Sequence, residues 1–133
     1  MFLIREGEVV RYHGQEKNVV IPDGIKGIGT DAFLCKPTLE RVVIPKSVQR
    51  ICEGAFFRCE NLREIIFNEG LVYIGENAFG DCCNLEKITI PNSVEFIARY
   101  AFSDCTSLRE VNILNEKTEL DILVFDGCKL LEK

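Results

Sequence analysis

Phe33, Phe56, Phe79, Phe102 and Phe125 stand 23 residues apart in a chain of 133 residues. Leu39, Leu62, Leu85, Leu108 and Leu131 keep the same step, and so do Ile28, Ile51, Ile74, Ile97 and Leu120. Ala32, Ala55, Ala78 and Ala101 precede four of the phenylalanines, with Val124 before the fifth. Cys59, Cys82, Cys105 and Cys128 follow in register, as do the pairs Val42 and Ile44, Ile65 and Phe67, Ile88 and Ile90, and Val111 and Ile113. So many columns in one register point to stacked coils, each burying its apolar side against its neighbours.

Each unit reads Leu-x-x-Ile-x-Ile-Pro, then Val-x-x-Ile, then Ala-Phe-x-x-Cys. The first piece ends in the alternation of a strand, with β-branched residues turned inward. Pro22, Pro45 and Pro91 close it, because proline cannot donate to a continuing ladder. The second piece is short and also β-like, and the third is expected to form a tight helical turn. Some positions depart from the pattern. Asn68 stands in the proline column, Lys36 in the cysteine column, and Lys117 where Val48 and Val94 stood. Phe2 and Ile4, then Val10 and Tyr12, alternate around Glu6-Gly7, which predicts a hairpin cap within residues 1–15 covering the first coil. Residues 16–133 carry the repeats of the same single domain.

The units VVIPKSVQRICEGAFFRCENLREI and ITIPNSVEFIARYAFSDCTSLREV resemble the BspA-like, Treponema-type leucine-rich repeat. The opening FLIREGEVVRYHGQEKNVVIPDGIKGIGTDAF is similar to the entry into such arrays. The resemblance implies a curved solenoid with a parallel sheet on its concave face, built to bind other molecules. The expected fold is a right-handed, β-rich leucine-rich repeat solenoid of about five coils. Its expected function is non-catalytic binding of a protein or peptide, and the resemblance adds bacterial adhesion to host or cell-surface proteins.

Composition narrows the rest. Apolar residues make up 47% and charged residues 28%, as in a globular chain. A net charge of −5 argues against nucleic acid as a partner. No apolar run approaches the roughly 18 residues of a membrane span, so no membrane insertion is expected. The N-terminal MFLIREGEVV carries a charge by Arg5 and does not read as a signal peptide. A cytoplasmic location is the default, while the resemblance allows the cell surface or secretion. His13 is the only histidine and falls in a Tyr-His-Gly turn. Gly24, Gly27 and Gly29 lack the spacing and the lysine of a phosphate loop. No enzyme, cofactor or metal is expected.

Seven cysteines invite a different reading, above all the vicinal pair Cys82-Cys83. Cys82 belongs to the column with Cys59, Cys105 and Cys128 and is expected in the core, where a free cysteine behaves as a small hydrophobe. Cys52 shares a small-residue column with Gly29, Gly75 and Ala98. Cys83 aligns with Pro37, Glu60, Thr106 and Lys129, so it is expected to be the most exposed thiol, with Cys35 second. A metal or redox role has no Cys-x-x-Cys spacing behind it.

The candidate recognition residues lie on the outward side of the main strands. Arg41, Glu64, Lys87 and Glu110 form one column, and Val20, Val43, Ile66, Thr89 and Asn112 form the next. The column before them, Lys17, Glu40, Arg63, Glu86, Arg109 and Glu132, also alternates in sign. Neighbouring coils then make a charge checkerboard, in which opposite pairs contribute roughly 0.2–1 kcal/mol each. These charges either satisfy one another or read a ligand. The stripe Val20, Val43 and Ile66 is either a contact site or a set of residues suited to a pleated sheet. A competing convex patch holds Arg50, Tyr73, Phe96 and Tyr100. An alternative function is structural, with the open C-terminal coil at Leu131-Glu132-Lys133 pairing into a homodimer.

Overall fold

The computed structural model describes residues 1–131. Strands β1 (Phe2–Arg5) and β2 (Glu8–Tyr12) pair antiparallel. Their turn places Glu6 and Gly7 at φ 50° and 81°, the left-handed pair that matches the twist of a hairpin. The register shifts between Leu3 and Ile4. That bulge moves burial to Val9 and Tyr12, leaving Val10 half-buried and Ile4 exposed, so the expected alternation fails there. The hairpin also extends a sheet, since β2 runs parallel to β4.

Five coils follow among the described residues, each with two strands. They are β3 (Asn18–Val20) and β4 (Gly27–Ile28), β5 (Arg41–Val43) and β6 (Arg50–Ile51), β7 (Glu64–Ile66) and β8 (Tyr73–Ile74), β9 (Lys87–Ile90) and β10 (Phe96–Ile97), and β11 (Glu110–Ile113) and β12 (Glu119–Leu120). Successive coils pair in parallel, as Arg41 with Glu64 and Ile51 with Ile74. One face is a seven-stranded sheet in the order β1-β2-β4-β6-β8-β10-β12. The other, which carries the longer strands, is divided into β3-β5-β7 and β9-β11. None of the described helices is long and apolar enough to cross a membrane.

The core is continuous along the stack. Tyr12 from the hairpin stacks on Phe33 at 4.9 Å between ring centroids, and the ladder continues through Phe56, Phe79, Phe102 and Phe125 at 4.7, 5.0, 5.1 and 5.8 Å. Offset, nearly parallel rings are a favoured aromatic geometry and add to the area they bury.

The Ala-Phe-x-x-Cys corner is not the helical turn expected of it. Two residues per coil take positive φ there, first Asp31, Gly54, Asn77, Tyr100 and Leu123, then Cys35, Arg58, Asp81, Asp104 and Gly127. A left-handed residue stops a helix from propagating. Short four-residue turns result instead, such as Ala55 N–H to the Cys52 carbonyl at 3.2 Å. The backbone freed by them bonds the next coil, with Phe56 N–H donating to the Ala78 carbonyl at 2.7 Å.

Candidate binding face

The long-strand face brings the predicted recognition columns together. Val20, Val43 and Ile66 are register partners in β3, β5 and β7, and Thr89 pairs with Asn112 in β9 and β11. Val20 is 64% exposed, Val43 and Ile66 are half-buried, and Thr89 and Asn112 are exposed. The inward partners Val42, Ile65 and Ile88 hold the strands on the core, which forces the alternate side chains outward.

The checkerboard forms incompletely. Arg41 Nε pairs with Glu64 Oε1 at 2.8 Å, and Arg109 with Glu86 at 3.2 Å. Among the described residues the other expected pairs, Lys17 with Glu40, Arg63 with Glu40 or Glu86, and Lys87 with Glu64 or Glu110, do not come within 4 Å. Exposed pairs of long side chains gain little over solvent, so several of them stay open. Glu132 lies outside the described residues.

The missing pairs between Arg63-Glu64 and Glu86-Lys87 coincide with the division of the sheet. At the other junctions, amides just outside the strands tie coil to coil. Glu40, Arg63 and Arg109 N–H donate to the Lys17, Glu40 and Glu86 carbonyls, and Ile21, Ile44 and Leu114 N–H to the Val43, Ile66 and Ile90 carbonyls. Between β7 and β9 neither kind of bond forms, and the Glu86 and Phe67 amides donate to no group among the described residues. The residue that differs here is Phe67, in a column otherwise filled by Ile21, Ile44, Ile90 and Ile113. Its ring stands edge-on to Phe79 at 5.7 Å and is 9% exposed. The break in the ladder falls where this larger side chain occupies the isoleucine slot.

The resulting seam opens a cleft of about 180 Å³ lined by Glu64, Ile65, Ile66, Phe67, Lys87 and Thr89. A shallower depression of about 300 Å³, lined by Arg63, Glu64, Glu86, Lys87 and Arg109, adjoins it. The sequence columns contained Glu64, Ile66, Lys87 and Thr89 but gave no sign that a gap separates them. The one usable signal was the phenylalanine among isoleucines.

The competing patch divides. Arg50, Tyr73 and Phe96 are register neighbours in β6, β8 and β10. Tyr73 stacks on Phe96 at 6.0 Å, and partial burial pushes its hydroxyl pKa up. Arg50 is tied to Glu8 of the hairpin. Tyr100 sits apart in the corner turn, half-buried at φ 61°.

The cysteine column is architecture with a defined role. Each thiol of Cys59, Cys82, Cys105 and Cys128 donates to the carbonyl of Phe33, Phe56, Phe79 or Phe102 in the preceding coil, at 2.9–3.3 Å. Burial pushes the Cys59 thiol up to about 12 and the Cys82 thiol well above its ordinary value, so neither is a ready nucleophile. Cys35 is exposed, whereas Cys83 is half-buried with its thiol 3.7 Å from the Glu60 carbonyl. The expected order of those two is therefore reversed. Cys83 leans along the corner, while Cys35 borders an open depression of about 450 Å³ where the hairpin meets the first coil. All seven cysteines are free thiols, and no cluster of three ligand side chains is present among the described residues.

Comparisons with known proteins agree with this architecture. The BspA type leucine-rich repeat region matches residues 26–133. The crystal structure of a T. pallidum leucine-rich repeat protein is 31% identical, with a TM-score of 0.90 over 98% of this chain. This chain spans 65% of that protein, less than two thirds of it. A leucine-rich repeat protein from Bacteroides capillosus is 30% identical with a TM-score of 0.71, covering 79% of this chain and 84% of its own. A leucine-rich cell surface protein from Faecalibacterium prausnitzii, at 22% identity and a TM-score of 0.65, shares the fold over 99% of this chain and 51% of its own. Among curated proteins none matches significantly. With the family's repeat matched over most of its length and its coils laid on those of the T. pallidum protein, the chain belongs to the BspA-type leucine-rich repeat family.

Proposed function

We propose that this chain is a non-catalytic recognition module whose long-strand face binds a protein or peptide. Leucine-rich repeat proteins generally bind proteins. The observation that carries the reading is the apolar row Val20, Val43 and Ile66, in register and open to solvent, flanked by Arg41, Glu64, Lys87 and Glu110. The ladders of the coils fix this face before a partner arrives, so little ordering entropy is lost on binding. Thr89, Asn112 and the charged row supply polar contacts at its C-terminal half. The mode we infer is adhesion-type recognition of a host or cell-surface protein, with the chain displayed or secreted. Display is tested by protease accessibility on intact cells of the source organism.

Affinity capture with the wild type and with Val43→Glu tests the face. A partner held by the wild type and lost by the variant supports the reading. A partner held equally by both, and lost on Tyr73→Ala, moves recognition to the seven-stranded sheet.

A second reading has its own observation. Leu114, Leu120, Ile122, Leu123 and Leu130 of the last coil are exposed. They would suit self-association of that coil, as a structural module. Light scattering across a concentration series separates the two, because only self-association predicts a stable oligomer of the chain alone.

A further inference from the structure

We propose that the seam between β7 and β9 is the reading point of the long-strand face, and that it takes an acidic side chain, aspartate or glutamate, from a bound protein segment. This rests on the long-strand face being the recognition surface. Three features of the seam fit a carboxylate. The Phe67 amide, in the wall of the cleft, and the Glu86 amide, beside the adjoining depression, are backbone donors without an acceptor among the described residues. Unpaired donors beside an opening are satisfied by whatever enters it. Arg63 and Lys87 are cations more than 4 Å from every described carboxylate, whereas Glu64 and Glu86 at the same junction are each held by an arginine of their own half-sheet. The free charge at the gap is therefore positive, in a chain whose net charge is −5.

Size and lining define the guest further. A cleft of about 180 Å³ falls short of the roughly 300–1,000 Å³ of a small-molecule pocket and suits one side chain. Ile66 and Phe67 give it an apolar wall for methylenes, and Lys87 and Thr89 give it a polar mouth for the charged end. A charge-assisted hydrogen bond from an ammonium or amide to a carboxylate is shorter and stronger than a neutral one, so an acidic residue outcompetes its amide counterpart.

The test is a titration of the full chain, labelled with nitrogen-15, by three blocked hexapeptides. One alternates glutamate with valine, and the others carry glutamine or lysine instead of glutamate. The glutamate peptide is expected to move the Phe67 and Glu86 amide signals and to bind about tenfold more tightly than the glutamine peptide. Lys87→Gln, a surface change that leaves the fold intact, should abolish that preference. Phe67→Ile should close the seam and remove the shifts at Glu86. Equal binding of the glutamate and glutamine peptides, or a preference that survives Lys87→Gln, overturns the proposal. Shifts confined to Val20 and Val43 with no acidic preference overturn the seam and leave the face reading standing. Shifts confined to Tyr73 and Phe96 overturn both, and the absence of any shift at millimolar peptide overturns the acidic guest.

Discussion

Leu123 and Tyr100 hold φ of 60° and 61°, in the column where Gly54 and Asn77 sit without difficulty. A bulky residue in the left-handed region costs roughly 1–2 kcal/mol. Leu123 is exposed, so exchanging it sacrifices little packing. Leu123→Asn is expected to raise stability by about 1 kcal/mol, read as a higher urea midpoint with an unchanged slope. The thiols give a second prediction. Folding lifts Cys59 from an ordinary 9.0 to about 12, so above pH 9 the unfolded chain loses this proton while the folded chain keeps it. Stability from this group is complete below pH 9 and falls by about 1.4 kcal/mol per pH unit as pH rises toward 12. Urea midpoints at pH 8 and pH 10.5 should show the fall, and Cys59→Ala should shrink it. A thiol reagent at neutral pH should modify Cys35 first and reach Cys59, Cys82, Cys105 and Cys128 only on unfolding, since those four are fully buried.

A strand ladder here is only as continuous as its column is uniform. Phe67→Ile restores the isoleucine column; the Phe67 and Glu86 amides, which lack an acceptor among the described residues, are expected to exchange fast in the wild type and to become protected in the variant like their counterparts Ile44 and Arg63. The lost edge contact with Phe79 offsets the two bonds gained, so overall stability should change by no more than about 1 kcal/mol. This junction also marks where sequence stops being legible. Val42, Phe56, Cys59 and Leu62 announced their burial because a core position recurs once per coil and the period exposes it. Phe67 kept its column apolar, so the period gave no warning that the ladder would break beside it. The corner was hidden for another reason. Its left-handed positions are filled by Cys35, Arg58, Tyr100 and Leu123 as well as by Gly54, Gly127, Asn77 and the aspartates, and only the latter group carries the usual mark of that conformation. The charge columns were read correctly as outward, yet which pairs close depends on side-chain freedom that spacing does not encode.

Along the whole molecule each coil touches only its neighbours, so stability is a sum of coil and interface contributions. The phenylalanine ladder makes this measurable. Phe79 is fully buried, with rings stacked on both sides at 5.0 and 5.1 Å and Phe67 at its edge. Phe125 is half-buried and stacks on Phe102 alone among the described residues, at 5.8 Å. Removing a buried phenylalanine costs about 3–5 kcal/mol, because the cavity adds to the lost transfer energy. Phe79→Ala should fall in that range and lower the unfolding midpoint for the entire stack. Phe125→Ala should cost about 1–2 kcal/mol, with hydrogen exchange accelerated in β11 and β12 and little changed in β3 to β6. Equal losses at the two positions would mean that the last coil is packed as firmly as the middle ones, and the exposed leucines of that coil would then need a covering partner to account for it.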